Sequence, residues 1–281
     1  MGQKDLTQKN LEQYPDVFAD IINALLYKGR QIILPASLQP APTETFYPGA
    51  DTDLHNQFQD VSQYVMKNGR IKIQYTLENE SRTDSKMILR QAGYEGAVYR
   101  RQYENRVQEI YPVATLILHW GNHKWRSAQS LYDLFHKHGL SSIFIQCINN
   151  VRLRVYDMRF LTREIRHRFR SDMRIIVDYL AYGEQYQPTN QPIIHVEAFL
   201  RMMNALTGDY RYEWLLQNFE NDSEEREGIT MCGLLDKYEA KGEERVNRLI
   251  SLLLKQSRWE DIEKAINNKE YQQSLFREYG L

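Results

Sequence analysis

Apolar residues recur at i, i+3, i+4 spacing from about Leu11 to Lys28. Val17, Phe18, Ile21, Ile22, Leu25 and Leu26 mark one face, which predicts a helix stopped by Gly29. Pro35, Pro40, Pro42 and Pro48 exclude helix from the stretch that follows. Around Asp60, and again from Ile71 to Glu80, the pattern predicts strands, joined by a Lys67-Asn68-Gly69-Arg70 turn. Asp84 or Ser85 can cap a helix running to about Tyr103, whose Ala92, Gly93, Gly96 and Ala97 suit close packing on a sheet. Tyr111 to Trp120 predicts a central strand. A short helix (Leu131, Leu134, Phe135) then leads to an apolar strand at Ser142–Ile148, and Val151–Tyr156 extends the sheet. Arg163–Tyr182 and Val196–Leu206 are helical by pattern.

The mixture of helices and strands predicts an α/β (α+β) architecture with a sheet core over 1–215. An acidic linker at 216–228, centred on Glu220–Glu227, follows. The helical region at 229–281 carries a Val246, Leu249, Ile250, Leu253, Leu254 stripe that needs a mate.

Composition narrows the function classes. With 281 residues, 42% of them apolar, the chain has ample core. Its net charge of −1 means that any affinity for nucleic acid must come from a local patch. No apolar run approaches a membrane span and no leader pattern is present, so a cytoplasmic location is expected. Cys147 and Cys232 have no metal or disulfide spacing and are expected to be buried, reduced thiols. The histidines form no ligand pattern, and His136 and His138, two apart, do not share a helix face. No glycine-rich phosphate loop occurs, which argues against a nucleotide cofactor.

The candidate chemistry lies in an acidic constellation, Asp60 and Glu78-Asn79-Glu80. The predicted hairpin returns Glu78 close to Asp60, and the strand pleat puts Glu80 on the same face as Glu78. Paired carboxylates repel unless a cation lies between them. Oxygen ligands without His or Cys favour Mg²⁺ or Mn²⁺, with Asp60, Glu78 and the carbonyl of Asn79 as ligands. Asp20, on the first helix, is a further candidate carboxylate. The same spacing also fits solvent-facing acids at a strand end.

The segment Leu77-Glu78-Asn79-Glu80-Ser81-Arg82-Thr83-Asp84, with Arg90 and Gly93-Tyr94-Glu95-Gly96-Ala97-Val98-Tyr99 after it, resembles the metal-site segment of the Rpn family. These are recombination-promoting nucleases, also described as transposases, of the PD-(D/E)XK superfamily. Phe18–Ala24, Gln59-Asp60-Val61, Tyr111–Leu116, Arg170–Arg174 and Glu260–Ile266 extend the resemblance over most of the chain. It implies a restriction-endonuclease-like αβββαβ core with a helix-rich C-terminal extension, DNA as substrate and Mg²⁺ as cofactor. It also implies Asp60 and Glu78 as metal ligands and Asp20 as the helical carboxylate. Glu80 departs from the pattern, because the superfamily has Lys there and these relatives usually Gln. Recruitment of a second cation, general-base action and a weakened enzyme all stay open.

Arginines crowd Val151–Arg174, and Arg166, Arg168 and Arg170 are candidate DNA contacts, against the alternative of a solvated helix face paired through Glu164. Arg90 either meets a substrate phosphate or pairs with a carboxylate. A homodimer would present one site to each DNA strand. A catalytically weakened DNA-binding relative and a partner-binding protein acting through the helical tail are the competing functions.

Overall fold

A computed structural model describes residues 3–48, 54–135, 141–219 and 228–281. The acidic stretch Glu220–Glu227 and the pair His136 and His138 lie outside the described residues. In chain order the elements are α1 (Gln3–Glu12), α2 (Pro15–Leu26), β1 (Leu38–Pro40), β2 (Glu44–Pro48), β3 (Leu54–Phe58), β4 (Val61–Lys67) and β5 (Arg70–Glu80). Then come α3 (Met87–Glu104), β6 (Val113–His119), α4 (Leu131–Leu134), α5 (Ser142–Gln146), β7 (Val155–Asp157), α6 (Arg163–Arg166), α7 (Met173–Tyr182), α8 (Val196–Thr207) and α9 (Tyr210–Phe219). The chain ends in α10 (Met231–Lys255), α11 (Trp259–Asn267) and α12 (Lys269–Glu278). It divides into two compact units, Met1–Gln187 with Ile193–Tyr212, and Pro188–Pro192 with Glu213–Leu281.

In the first unit, five strands among the described residues form a mixed sheet of order β1-β4-β5-β6-β7. β1, β4 and β5 pair antiparallel, whereas β5, β6 and β7 run parallel. The fold is therefore mixed α/β, of the α+β kind. Asn68 (φ 53°) and Gly69 (φ 73°) take the two left-handed positions that a tight two-residue hairpin turn requires. Central β5 is buried from Gln74 to Asn79, because β4 and β6 cover its edges and helices cover its faces.

The expected helix over Leu11–Lys28 is two helices. Pro15 lacks an amide hydrogen and pushes Tyr14 into extended backbone (ψ 128°), so α1 ends and α2 restarts with proline in its first turn. Pro35–Ser37 makes one 3₁₀ turn in the stretch read as non-helical, since proline is tolerated at a helix start. The expected strand at Ser142–Ile148 is instead α5, capped by the Ser141 hydroxyl accepting from the Phe144 amide. Its Ile143 and Phe144 are exposed, and β7 takes the sheet position beside β6. Arg163–Tyr182 breaks into α6 and α7. The buried face of α3 carries Met87, Ile88, Gln91, Tyr94, Val98 and Gln102, while Gly93 and Gly96 lie on its exposed side. Large side chains, not small ones, make that contact.

In the second unit the tail stripe finds its mate within the chain. Leu249 and Leu253 pack with Ala265, Leu275 and Phe276 of α11 and α12. Cys147 is exposed and Cys232 half-buried, so the thiols are unpaired but not buried as expected. Among the described residues no helix is long and apolar enough to cross a membrane.

Candidate active site

The hairpin register assembles the acidic cluster. Val61 lies opposite Leu77, which places Asp60 at the level of Glu78. One Asp60 oxygen, Oδ2, accepts from the Asn79 amide at 2.7 Å, and the other, Oδ1, meets Lys9 Nζ of α1 at 2.7 Å. Glu78 is 2% exposed, and its buried Oε1 has no hydrogen-bond partner. Burial, and then the charge of Asp60, push the Glu78 carboxyl well above the ordinary carboxylate range, with Arg90 opposing.

Glu80 is also raised by burial, although Arg90 Nη1 donates to its Oε1 at 2.8 Å. Arg90 reaches Asp84 at 3.3 Å and the Tyr94 hydroxyl at 3.3 Å as well. It is thus the carboxylate partner of the two roles the sequence allowed.

Asn79 looks to the opposite face of β5. Its Nδ2 donates to Glu12 Oε2 at 2.6 Å, and its Oδ1 accepts from Trp120 Nε1 at 2.6 Å. A metal role for Asn79 therefore rests on its main-chain carbonyl. Glu12, at the end of α1, is fully buried and its Oε1 has no partner. Burial pushes its carboxyl up to about 8.

Sequence reasoning passed over Glu12 and Lys9. The available signal was that Gln8, Leu11 and Glu12 share one helical face, and all three are buried. His119, 2% exposed at the end of β6, was also missed as a local partner. It lies level with Glu80 in the parallel ladder, and its Nδ1 is 2.7 Å from Asp157 Oδ1.

The structure brings Asp60, Glu78 and Glu80 together and leaves Asp20 out. The Asp20 Oδ2 accepts from the amides of Arg170 and Ser171, both at 2.8 Å, and from the Ser171 hydroxyl at 2.7 Å. That carboxylate pins the turn before α7. The helical acid near Asp60 is Glu12 of α1, which binds Asn79 on the face of β5 opposite Glu78.

The arginine candidates are redistributed too. Arg166 is 6% exposed, donates to Asp178 Oδ1 and the Leu161 carbonyl at 2.7 Å each, and lies over the Tyr182 ring. It is a buried structural cation, unavailable to DNA. Arg168 pairs with Glu164 one helical turn away, and Arg170 contributes its amide to Asp20.

Among the described residues no group of three or more His, Cys, Asp or Glu is arranged to hold a metal ion. The unpartnered Glu78 Oε1 beside Asp60 nevertheless fits one hard cation held by two carboxylates. Mg²⁺ is commonly bound in that way, its remaining positions filled by water and phosphate oxygens.

A family model described as "Putative transposase, YhgA-like" matches residues 46–187, a span that includes Asp60, Glu78, Glu80 and Arg90. No curated protein and no solved structure matches the chain.

Proposed function

This chain belongs to the YhgA-like transposase family, and on that premise we propose that it is a metal-dependent endonuclease hydrolysing the phosphodiester bonds of DNA. The observation that carries this reading is Glu78: a buried carboxyl with an unpartnered oxygen, held beside Asp60 at the end of a rigid central strand. An unpaired buried carboxylate is costly, and a cation shared with Asp60 relieves both the repulsion and the missing partner. Asp60 and Glu78 would hold Mg²⁺ or Mn²⁺, with the Asn79 carbonyl as a further ligand. The bound ion supplies acidified water and neutralises charge developing on phosphoryl oxygens.

The protein's own residues do the rest. Asp60 is oriented by the Asn79 amide. Lys9, held 2.7 Å from the same carboxylate, is placed to attract a phosphate oxygen. Arg90 offsets the extra negative charge of Glu80, the residue that departs from the family pattern.

Nicking of supercoiled plasmid, with Mg²⁺ or with chelator, tests the reading. The native chain should nick only with metal, and Asp60→Asn and Glu78→Gln should abolish nicking. Cleavage that survives both substitutions, or a native chain inert in both Mg²⁺ and Mn²⁺, would overturn it.

A further inference from the structure

A second site lies at the carboxyl ends of the parallel strands, where open α/β sheets commonly bind ligands. A cavity of about 440 Å³ is lined there by Gln8, Ser81, Trp120, Asn122, Arg159 and Thr207, among others. It adjoins the acidic cluster by covalent connection on several sides. Ser81 follows Glu80, Gln8 precedes Lys9, and Trp120 holds the Asn79 side chain. Gly121 keeps the wall thin: a Cβ there would lie 2.5 Å from His119 Nε2 and 3.0 Å from the Ser81 carbonyl oxygen.

The cavity's charge is one-sided. No Asp or Glu lines it, and Arg159 is its one basic residue. Arg159 is half-buried, its Nε is buried without a partner, and no ion pair to it occurs among the described residues. A guanidinium withdrawn from water without a counter-charge is unfavourable, whereas its planar fork matches two phosphate oxygens. Ser81, Asn122 and Gln8 add neutral hydrogen-bonding groups around it. The space exceeds what a bare phosphate needs and admits an attached sugar.

We propose that this cavity is a phosphate subsite in which Arg159 binds a phosphate of a nucleic-acid strand, next to the strand-end carboxylates. The identity of the strand rests on the nuclease reading, but the anion site itself does not. Arg159 lies within the arginine-rich segment read from the sequence, and it takes the role that buried Arg166 cannot.

The test uses the full chain in chelator, so that no cleavage occurs. Inorganic phosphate binding is measured by calorimetry, and binding of a labelled DNA duplex by anisotropy across a salt series. Arg159→Gln should weaken phosphate binding about tenfold or more. It should also lower the salt slope for DNA by about one phosphate contact. Arg159→Lys should restore part of the slope. Asn122→Glu, at an exposed lining position, should compete for Arg159 and weaken phosphate binding even if Arg159→Gln fails to fold.

Unchanged phosphate binding in Arg159→Gln or Asn122→Glu overturns the subsite. Lost phosphate binding with an unchanged DNA slope overturns the nucleic-acid source and assigns the cavity to a free phosphorylated molecule. Failure of the nuclease reading is seen separately, in the metal-dependent nicking assay with Asp60→Asn.

Discussion

Replacing Glu12 by glutamine probes how the acidic cluster is built. Glutamine keeps the shape and the oxygen that accepts from Asn79 Nδ2, and removes only the ionisable group. Burial pushes the Glu12 carboxyl from 4.5 up to about 8; the nearby charge of Asp60 adds to this, while the Asn79 hydrogen bond and Lys9 oppose it. The folded value lies above the unfolded one, so below 4.5 both states hold the proton and no stability is lost. Between 4.5 and about 8 the unfolded chain releases a proton that the folded chain keeps, and stability falls as pH rises. At about 1.4 kcal/mol per pH unit, roughly 3 kcal/mol is lost by pH 7. Glu12→Gln lacks this loss, so it should exceed the native chain by about 3 kcal/mol at pH 7 and match it near the unfolded pKa.

Urea unfolding followed by tryptophan fluorescence, in chelator from pH 5 to pH 8, measures the difference, because titrations common to both chains cancel. The gap should widen by about 1.4 kcal/mol per unit. Parallel profiles would refute the burial argument. A variant less stable at every pH would show Glu12 ionised and serving as a counter-charge to Lys9.

Two further substitutions separate structure from function. Arg166→Ala removes one of the two arginines paired with Asp178, which keeps Arg174, and should cost about 1–3 kcal/mol in urea unfolding, with the salt slope of the proposed DNA binding unchanged. A flattened slope in a folded variant would return Arg166 to the DNA surface. Gly69→Ala meets no atom within 4 Å, so only its φ of +73° opposes the methyl group. Unfolding should then show a loss of about 1 kcal/mol with the proposed metal-dependent nicking unchanged, and a larger loss would reveal a hairpin contact that the geometry omits.

What the sequence disclosed follows from the range of the interactions involved. The Asn68-Gly69 turn was legible locally, but its register alone would set Asp60 opposite Leu77; the shift between Val65 and Met66 moves the ladder by one residue and sets Asp60 level with Glu78. The α2 face was equally legible, because its buried residues repeat with the helical period. Strand against helix at Ser142–Ile148 was not. An apolar run of that length suits either state, and β7 rather than this run takes the edge of the sheet. Arg166 misled for a related reason: eight arginines in one segment look alike until the fold buries one of them against Asp178.

The choice between Asp20 and Glu12 shows where a one-dimensional reading stops. Both are carboxylates on helices near the start of the chain, and both are buried. One oxygen of Asp20 is held by a turn 150 residues away, and Glu12 meets a strand residue 67 positions away. Neither separation leaves a periodic trace.

The same long-range logic accounts for Glu80. On the strand alone it adds negative charge beside Glu78. In the fold, α3 supplies Arg90 to Glu80 on one side, and α1 supplies Lys9 to Asp60. Positive charge thus reaches the cluster from helices. On the proposed nuclease reading, Arg90 is then the residue on which the charge balance around Glu80 depends.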